Sequence, residues 1–359
     1  MTILDRYVSK EFLKIFALMM ASFTLLYLII DFFGRIRMFL SNHATAYQIA
    51  SYFTYMIPQI ISYTLPVAVL LATLLTFGMF SRSHEIVAMK ANGLSLYRIA
   101  LPVFVIAALV SAASFLFNEF VTPYANQRAK YIKFVEVQKT QKLGFFKQNQ
   151  IWYRSRNAIY NFGMFDPVAD TLKGITIYYF DQDFNLVKRV DAREARWTDG
   201  HWSFKNVLTT SFPRGSIQVL ERASSAVIDI PEKPSDFKIV QKDTDEMGYG
   251  ELKNYIQKLR SEGYDVSRYL VDMHGKISFS VVSIILAVIG VAFSLRSERS
   301  GGSTASISVG IVIGFSYWII YALALSLGRS LTLPPLFAAW LPNILFASAA
   351  VFMFSKVRT

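Results

Sequence analysis

The chain has 359 residues, of which 53% are hydrophobic and only 17% charged, a composition that excludes an ordinary soluble domain and indicates a membrane protein. Its net charge of +12 does not indicate nucleic-acid binding, because the basic residues flank apolar blocks or scatter through the middle of the chain. The absence of cysteine excludes disulfide frameworks, thiolate metal sites and cysteine nucleophiles.

The apolar residues fall in blocks near both ends of the chain, with a more polar middle of about 150 residues between them. Six blocks are long enough to cross about 30 Å of hydrocarbon as helices. The predicted spans are Phe12–Ile30, Ile57–Phe80, Ile99–Asn118, Ile277–Leu295, Ala305–Leu327 and Leu333–Phe354. The first span has a basic flank like that of a signal peptide, but it is too long and lacks a cleavage site of small residues. We therefore expect it to remain as an anchor.

The order of these blocks predicts an α+β membrane protein with six transmembrane helices, three before and three after an inserted domain. We assign residues 1–119 to helices one to three, 120–247 to the inserted domain, 248–273 to a connecting helix and 274–359 to helices four to six. The connecting helix is predicted over Glu251–Ser261 because its apolar residues recur at helical spacing, and it should end near Gly263.

The sidedness of the spans follows from the Lys and Arg residues in short loops, which accumulate on the cytoplasmic face of a membrane. One face carries Arg6, Lys10, Lys14, Arg82, Lys90, Arg98, Arg296, Arg299, Lys356 and Arg358. The opposite face has only Arg35, Arg37 and Arg329 in its short loops. Both termini are therefore predicted to be cytoplasmic, with the inserted domain on the other side.

A short polar stretch, Ser81–Ile99, lies between spans two and three on the predicted cytoplasmic face. Ser83 is suited to cap a helix here, and Glu85 would then lie in the first turn, where the helix dipole favours an anion. A stripe at helical spacing is formed by Ile86, Met89, Gly93 and Tyr97. A helix over about residues 81–98 would thus offer apolar anchors to a groove of a cytoplasmic motor protein. The alternatives are an acidic residue that only caps the helix, and a helix that lies on the lipid surface.

The inserted domain is predicted to be mostly β, because short segments rich in Ile, Val, Tyr, Phe and Trp alternate with Asp, Asn, Gly and Pro. The predicted strands are Ile151–Arg156, Ala158–Phe165, Gly174–Phe180, Val187–Trp197, Trp202–Thr210, Ser216–Leu220 and Ala226–Ile230. Asp199-Gly200 is a strong signal for a two-residue hairpin. Seven short strands without intervening helices favour a sandwich or jelly roll, so we predict a β-jellyroll-like domain.

The sequence carries no pattern that indicates an enzyme. It lacks the Gly-x-x-x-x-Gly-Lys-Ser/Thr loop with which nucleotide hydrolases surround phosphates, and the glycine-rich residues 300–304 contain no lysine. The four histidines are scattered and form no HExxH pair, so no metal site is predicted. The predicted spans two to six contain no ionisable residue between their flanks, which disfavours a proton- or ion-coupled transporter. We therefore expect the energy for any transport to come from a partner protein.

The order of three spans, a long β insert and three more spans resembles the permease subunits of the lipopolysaccharide export ABC transporter, the LptF/LptG family. The resemblance covers nearly the whole chain, and its most specific motif is the Glu-containing loop between spans two and three. The matching motifs are Leu4-Asp5-Arg6-Tyr7, Arg82-Ser83-His84-Glu85-Ile86-Val87-Ala88-Met89-Lys90-Ala91-Asn92-Gly93, Asn118-Glu119-Phe120-Val121-Thr122-Pro123, Gly174-Ile175-Thr176-Ile177-Tyr178, Leu252-Lys253-Asn254-Tyr255-Ile256 and Trp340-Leu341-Pro342-Asn343. The first motif resembles the LptG branch of the family more than the LptF branch.

The resemblance implies a permease subunit of an ATP-driven exporter in the cell inner membrane. Such an exporter extracts lipopolysaccharide from that membrane and passes it through periplasmic β domains towards the outer membrane. The implied partners are a paralogous LptF-like permease, an LptB-like cytoplasmic ATPase dimer, a periplasmic bridge protein and an LptC-like membrane subunit. The chain itself would hold no cofactor and catalyse no reaction, because ATP would be bound and hydrolysed by the partner ATPase.

The resemblance also implies functional residues. The ATPase would be contacted by Arg82, His84, Glu85, Ile86, Met89 and Gly93. The phosphates of lipid A would be bound by basic residues at the outer end of span one, where Arg35 and Arg37 are the candidates, since guanidinium groups bind phosphate in a bidentate fashion. Ordinary snorkelling to the membrane interface is the alternative for these two arginines. The first and fifth spans would line gates at the interface with the partner permease.

Two other classes of function remain open from the sequence. A membrane-anchored periplasmic scaffold or assembly protein without transport activity would use the β domain for binding and would need no motor. A lipid-linked enzyme is disfavoured, because no catalytic constellation is visible. Recovery of a stoichiometric ATPase with the chain would separate the exporter from both.

Overall fold

The computed structural model describes residues 3–138, 151–154, 158–166, 170–181, 184–198, 201–212, 218–228, 230, 234, 243–261, 265–296 and 303–355. The chain divides into two compact units. One, the helical unit, consists of residues 1–133, 244–256 and 265–359. The other, the β unit, consists of residues 134–243 and 257–264, and so begins later than the predicted boundary at residue 120.

Long apolar helices form most of the helical unit. The helices are α1 (Ile3–Ser41), α2 (Ala46–Arg82), α3 (Glu85–Ala91), α4 (Leu96–Phe120), α5 (Thr122–Tyr131), α6 (Tyr249–Ser261), α7 (Ser267–Arg296), α8 (Ser303–Arg329) and α9 (Pro335–Ser355). Six of those described, namely α1, α2, α4, α7, α8 and α9, are long and apolar enough to cross a membrane, and each overlaps one predicted span. Together with the sheet described below, they confirm the α+β class with three spans on each side of an inserted domain.

Helix α7 begins at Ser267, well before the predicted start of the fourth span at Ile277. The backbone N–H of Ser267 donates to the carboxylate of Asp265 at 2.9 Å, and this bond holds the pKa of Asp265 below its usual range. The first turns of α7 are polar, yet they pack inside the helical unit, where Asp272 pairs with Arg329 of α8 at 2.6 Å. A hydropathy pattern misses such turns, because the charges are matched by protein groups instead of by water.

The Trp340–Asn343 motif ties three of the long helices together. The side-chain amide of Asn343 in α9 donates to the carbonyl of Ser278 in α7 at 2.6 Å. Its oxygen accepts a hydrogen bond from the hydroxyl of Tyr317 in α8 at 2.9 Å, and both side chains are buried. In lipid, where apolar contact alone gives little preference for one helix over another, such bonds help to specify which helices pack together.

The described β strands form a single antiparallel sheet. They are β1 (Ile151–Arg154), β2 (Ala158–Asp166), β3 (Thr171–Phe180), β4 (Leu186–Thr198), β5 (His201–Ser211) and β6 (Gln218–Ile228). Each strand pairs with the next one along the chain, in the order β1 to β6. Within the described residues the strands make one sheet without a crossover, which confirms an inserted β domain, and the sandwich or jelly roll stays a prediction. Asp199-Gly200 lies outside the described residues, but Thr198 pairs with His201 on either side of it, as the predicted hairpin requires.

The pairing of the sheet is interrupted at one position in each of five neighbouring strands. The ladder of paired residues skips Gly163, Gly174, Arg193, Asn206 and Ser224, and the backbone of Gly174 and Asn206 is left-handed, with φ of 63° and 53°. Buried residues three apart flank this position in β3 (Leu172 and Ile175), β4 (Ala192 and Ala195) and β5 (Phe204 and Val207). Because strand side chains alternate faces, these three strands change phase here. They therefore keep their apolar side chains on one face of the sheet on both sides of the interruption.

Glu119, in the last turn of α4, holds the start of α6. Its carboxylate accepts hydrogen bonds from the backbone N–H of Tyr249 and, at 3.0 Å, from that of Gly250. A carboxylate is favoured at the N-terminus of a helix by the helix dipole. Gly248 packs so closely here that a Cβ atom would lie 2.8 Å from the carbonyl oxygen of Glu119.

We expect Gly248→Ala to lower the free energy of unfolding by about 1–3 kcal/mol, the usual cost of forcing an extra methyl group into a packed site. The clashing atom belongs to the backbone of α4 and cannot rotate away. The measurement is the thermal unfolding midpoint of the purified full chain in detergent. Gly34→Ala in α1 is the matched control, because nothing lies within 4 Å of its added Cβ. Equal midpoints for the two variants would contradict the prediction.

Candidate functional site

The first candidate region is the α3 segment, which we define as residues 83–95 between α2 and α4. The predicted single helix over about residues 81–98 is corrected by the structure, because α2 runs to Arg82, α3 covers only Glu85–Ala91 and α4 begins at Leu96. His84 and Gly93 interrupt the helix on either side of α3 with left-handed φ values of 58° and 80°. Residues in this conformation cannot continue a right-handed helix.

Both ends of α3 differ from the sequence-based expectation. Ser83 does not cap α3; its hydroxyl oxygen lies 3.1 Å from the carbonyl oxygen of Met79, at the end of α2, and donates to Glu85 as described below. Gly93 lies beyond α3, where its N–H bonds to the carbonyl of Lys90, and that of Leu94 bonds to the carbonyl of Met89. This pair of bonds is a Schellman motif, which needs a left-handed residue at the position of Gly93.

The apolar side of α3 faces its own chain. Ile86 is 1% exposed and packs in a cluster with Phe77, Phe80 and Ile99, and Met89 is partly buried against the same cluster. Ile86 is therefore not available as an anchor for a partner groove, which corrects that expectation. The surface that α3 presents is the opposite face, where Val87 is 55% exposed. Arg82, His84, Lys90 and Gly93 are also exposed at this end of the unit.

Glu85 is held in one orientation at the start of α3. One carboxylate oxygen accepts a hydrogen bond from the hydroxyl of Ser83 at 2.6 Å, and the other accepts one from the hydroxyl of Tyr7 in α1 at 3.0 Å. A carboxylate can accept about four hydrogen bonds, so these two leave capacity for a donor from another protein. The structure therefore presents an oriented, partly exposed anion on a helix that is anchored from behind.

The second candidate region is the Arg35 cluster, which we define as Asp31, Arg35 and Lys133. Asp31 Oδ1 accepts from Arg35 Nε at 2.7 Å one turn along α1, and the guanidinium lies 5.9 Å from the ring centre of Tyr52 in α2. Burial, followed by the nearby charge of Arg35, lowers the pKa of Lys133 below that of an exposed lysine. Two cationic groups and one carboxylate therefore share this place in the helical unit.

Arg35 and Arg37, which we predicted as a pair, are not brought together. Residues two apart on a helix point about 200° apart, so the two side chains leave α1 in opposite directions. Arg35 is partly buried against α2, whereas Arg37 is exposed. Lys133 is the cation that sequence reasoning missed, because α2 to α5 lie between it and Arg35 in the chain, and no local pattern connects the two.

An apolar groove lies beside the Arg35 cluster, between α1 and α2. It has a volume of about 540 Å³ and is lined almost wholly by carbon, with Ile29, Phe32, Phe33 and Ile36 on α1 and Ile49 and Phe53 on α2. Cations next to an apolar surface suit an amphiphile that carries both anionic groups and hydrocarbon chains.

Comparison with known proteins places this chain among transport proteins. Residues 6–356 match the family described as lipopolysaccharide export system permease LptF/LptG. The chain is 25% identical over 350 residues to the lipopolysaccharide export system permease protein LptG of Escherichia coli strain K12, which covers 96% of this chain and 95% of that protein. It is 26% identical over 361 residues to the protein of the same name from Haemophilus influenzae, with 99% of each chain covered. These matches confirm the resemblance that the short motifs indicated.

Proposed function

Because this chain belongs to the family of lipopolysaccharide export system permeases LptF/LptG, we propose that it is a permease subunit of an ATP-driven exporter. It would lie in the inner membrane and pair with a paralogous LptF-like permease. ATP would be bound and hydrolysed by an LptB-like cytoplasmic dimer, so the chain needs no cofactor of its own. A periplasmic bridge protein and an LptC-like membrane subunit complete the proposed assembly.

The observation that carries the proposal is the α3 segment. It is a short helix between two long apolar helices, with an oriented carboxylate at its start and a buried apolar side behind it. Since Ile86 is packed into the cluster that α2 and α4 share, α3 cannot move without moving those helices. A motor protein that displaces the exposed face of α3 would thereby displace the membrane-spanning helices.

We assign this end of the helical unit to the cytoplasm, because the short loops around it hold most of the basic residues and such residues accumulate on the cytoplasmic side. Both termini then lie in the cytoplasm and the β unit in the periplasm. The chain has no cysteine, so single-cysteine labelling can test this assignment directly. His84→Cys should react only from the cytoplasm and Gly200→Cys only from the periplasm. Labelling of both from one side would remove the basis of the proposal.

The cargo would be recognised by the Arg35 cluster and the apolar groove beside it. Phosphate groups of lipid A match the two cations, since charge-assisted hydrogen bonds to guanidinium and ammonium groups are the strong ones. The acyl chains match the groove along α1 and α2. The sheet of the β unit, which keeps its apolar side chains on one face, would continue the path for the acyl chains towards the outer membrane.

Purification of the tagged full-length chain in mild detergent from its native membrane tests the proposal. We expect a stoichiometric ATPase, a second permease and a glycolipid to be recovered with it. A β domain that served only as a periplasmic scaffold would bring down neither an ATPase nor a glycolipid. Recovery of periplasmic proteins alone would therefore contradict the exporter function and favour the scaffold function.

A further inference from the structure

The first turns of α1 are bound to the α3 segment and to the start of α4 by two polar contacts. The carboxylate oxygens of Asp5 face Nη1 and Nη2 of Arg98 at 2.5 and 3.0 Å, which makes a bidentate pair across 93 residues of sequence. Two residues further along, the hydroxyl of Tyr7 donates to Glu85, and the ring of Tyr7 stacks on Phe80 at 5.5 Å between centres. Bidentate geometry fixes orientation as well as distance.

Apolar packing makes the same connection beneath these contacts. Val8 and Phe12 of α1 are fully buried, in the cluster that also holds Ile86 of α3 and Ile99 of α4. The first turns of α1, the whole of α3 and the first turn of α4 therefore form one packed body. Interiors packed in this way transmit displacement instead of absorbing it.

Beyond this body, α1 runs on as one helix. After Phe12, the next buried residue on α1 is Phe39, near its far end, where the ring packs against Tyr52 of α2. Between these two places the helix makes only partly buried contacts, through Met19 and Phe23 among others. At 1.5 Å per residue, the helix carries a displacement over about 45 Å from Asp5 to Arg35. The fully buried side chains of α1 thus lie at two places, one beside Glu85 and the other beside the Arg35 cluster.

We propose that the Asp5–Arg98 pair, with the Tyr7–Glu85 bond, is the joint through which the α3 segment drives α1. A displacement of α3 reaches the Arg35 cluster along α1, in addition to any movement of α2 and α4. Asp5 and Arg98 are positioning residues, because they hold α1 to the moving body and touch neither cargo nor nucleotide. The proposal rests on the proposed function in one respect, namely that a motor protein moves α3.

The test compares Asp5→Asn with the charge exchange Asp5→Arg plus Arg98→Asp. Each chain is assembled with its ATPase and partner permease in vesicles that contain lipopolysaccharide, and the lipopolysaccharide released per ATP hydrolysed is measured. In Asp5→Asn we expect this ratio to fall at least about fivefold, the lower end of typical coupling between sites, while the ATPase remains bound. The charge exchange should recover much of the ratio. An unchanged ratio in Asp5→Asn, or loss of the ATPase from both variants, would overturn the proposal.

A distance measurement separates a joint from a contact that only stabilises the fold. Spin labels at Leu13→Cys on α1 and Leu101→Cys on α4 are possible because both side chains are about half exposed and the chain has no other cysteine. When Asp5 is present, we expect the distance between the two labels to have one narrow distribution, with and without ATP. In Asp5→Asn we expect a broad distribution that depends on the nucleotide. A broad distribution in both chains would overturn the proposal that this contact is a joint. Failure of the parent chain to bind any ATPase would instead refute the proposed function.

Discussion

Replacing Glu85 with alanine is expected to reduce the ATPase recovered with the chain at least about tenfold, a loss of about 1.4 kcal/mol in binding free energy. The carboxylate is the oriented anion of the α3 segment, held by Ser83 and Tyr7 and still able to accept further hydrogen bonds. Removing one partner of a charge pair at an interface leaves the other charge without a match, which is why such losses are large. Release of lipopolysaccharide should fall in parallel.

Insertion and folding should be unaffected by Glu85→Ala, because the hydrogen bonds it removes are exposed and each contributes only about 1 kcal/mol. Glu11→Ala is the matched control, since Glu11 is a glutamate in α1 near the same end of the unit and its carboxylate pairs with Lys14 at 2.8 Å. The measurement is the amount of ATPase that co-purifies per permease, with the unfolding midpoint as a check. If equal amounts of ATPase were recovered with Glu85→Ala and with Glu11→Ala, Glu85 would not contribute to the interface with the ATPase.

Charge reversal in the Arg35 cluster is the second change with a large expected effect. Arg35→Glu should weaken binding of lipopolysaccharide at least about tenfold, because it replaces an attraction for phosphate by a repulsion where the surroundings are partly buried and screening is weak. Lys133→Glu should act in the same direction, although no sequence pattern pairs Lys133 with Arg35. Binding is measured on the purified chain in detergent with labelled lipopolysaccharide.

Asp31 and Arg37 supply the controls for this cluster. Asp31→Asn should strengthen binding, because Asp31 now engages Nε of Arg35 and offsets its charge. Arg37→Glu should have a smaller effect than Arg35→Glu, since Arg37 points away from the cluster. If Arg35→Glu and Arg37→Glu weakened binding equally, overall attraction to the anionic lipid would explain the result, and the cluster would have no specific role.

The spans could be predicted because the thickness of hydrocarbon imposes a length on every apolar helix. The predictions failed where protein groups, instead of lipid or water, surround a segment. Because of Asp272, the start of α7 resembled a polar linker in the sequence, yet this residue is paired with Arg329 inside the helical unit. Similarly, the two predicted strands Ser216–Leu220 and Ala226–Ile230 both overlap one described strand, β6 (Gln218–Ile228), whose polar middle is held in place by pairing with β5.

The place of the α3 segment could also be predicted, since a polar stretch between two apolar spans must lie at a membrane surface. Its orientation could not. Ile86 and Met89 read equally well as anchors for a partner and as anchors for the chain itself, because helical spacing shows that a helix has an apolar side and does not show what covers it. The structure assigns that side to the chain's own core, and leaves Val87 on the opposite side exposed.

The amino-acid sequence by itself determined the number of spans, the β character of the insert and the position of Glu85, since each depends on composition or spacing within a short window. Only the tertiary structure decided which distant groups meet. Tyr7 with Glu85 and Asp5 with Arg98 are pairs of this kind, and Lys133 lies near enough to Arg35 for that charge to lower its pKa. Such pairs arise when helices far apart in the chain pack side by side, and local periodicity carries no information about which helices become neighbours.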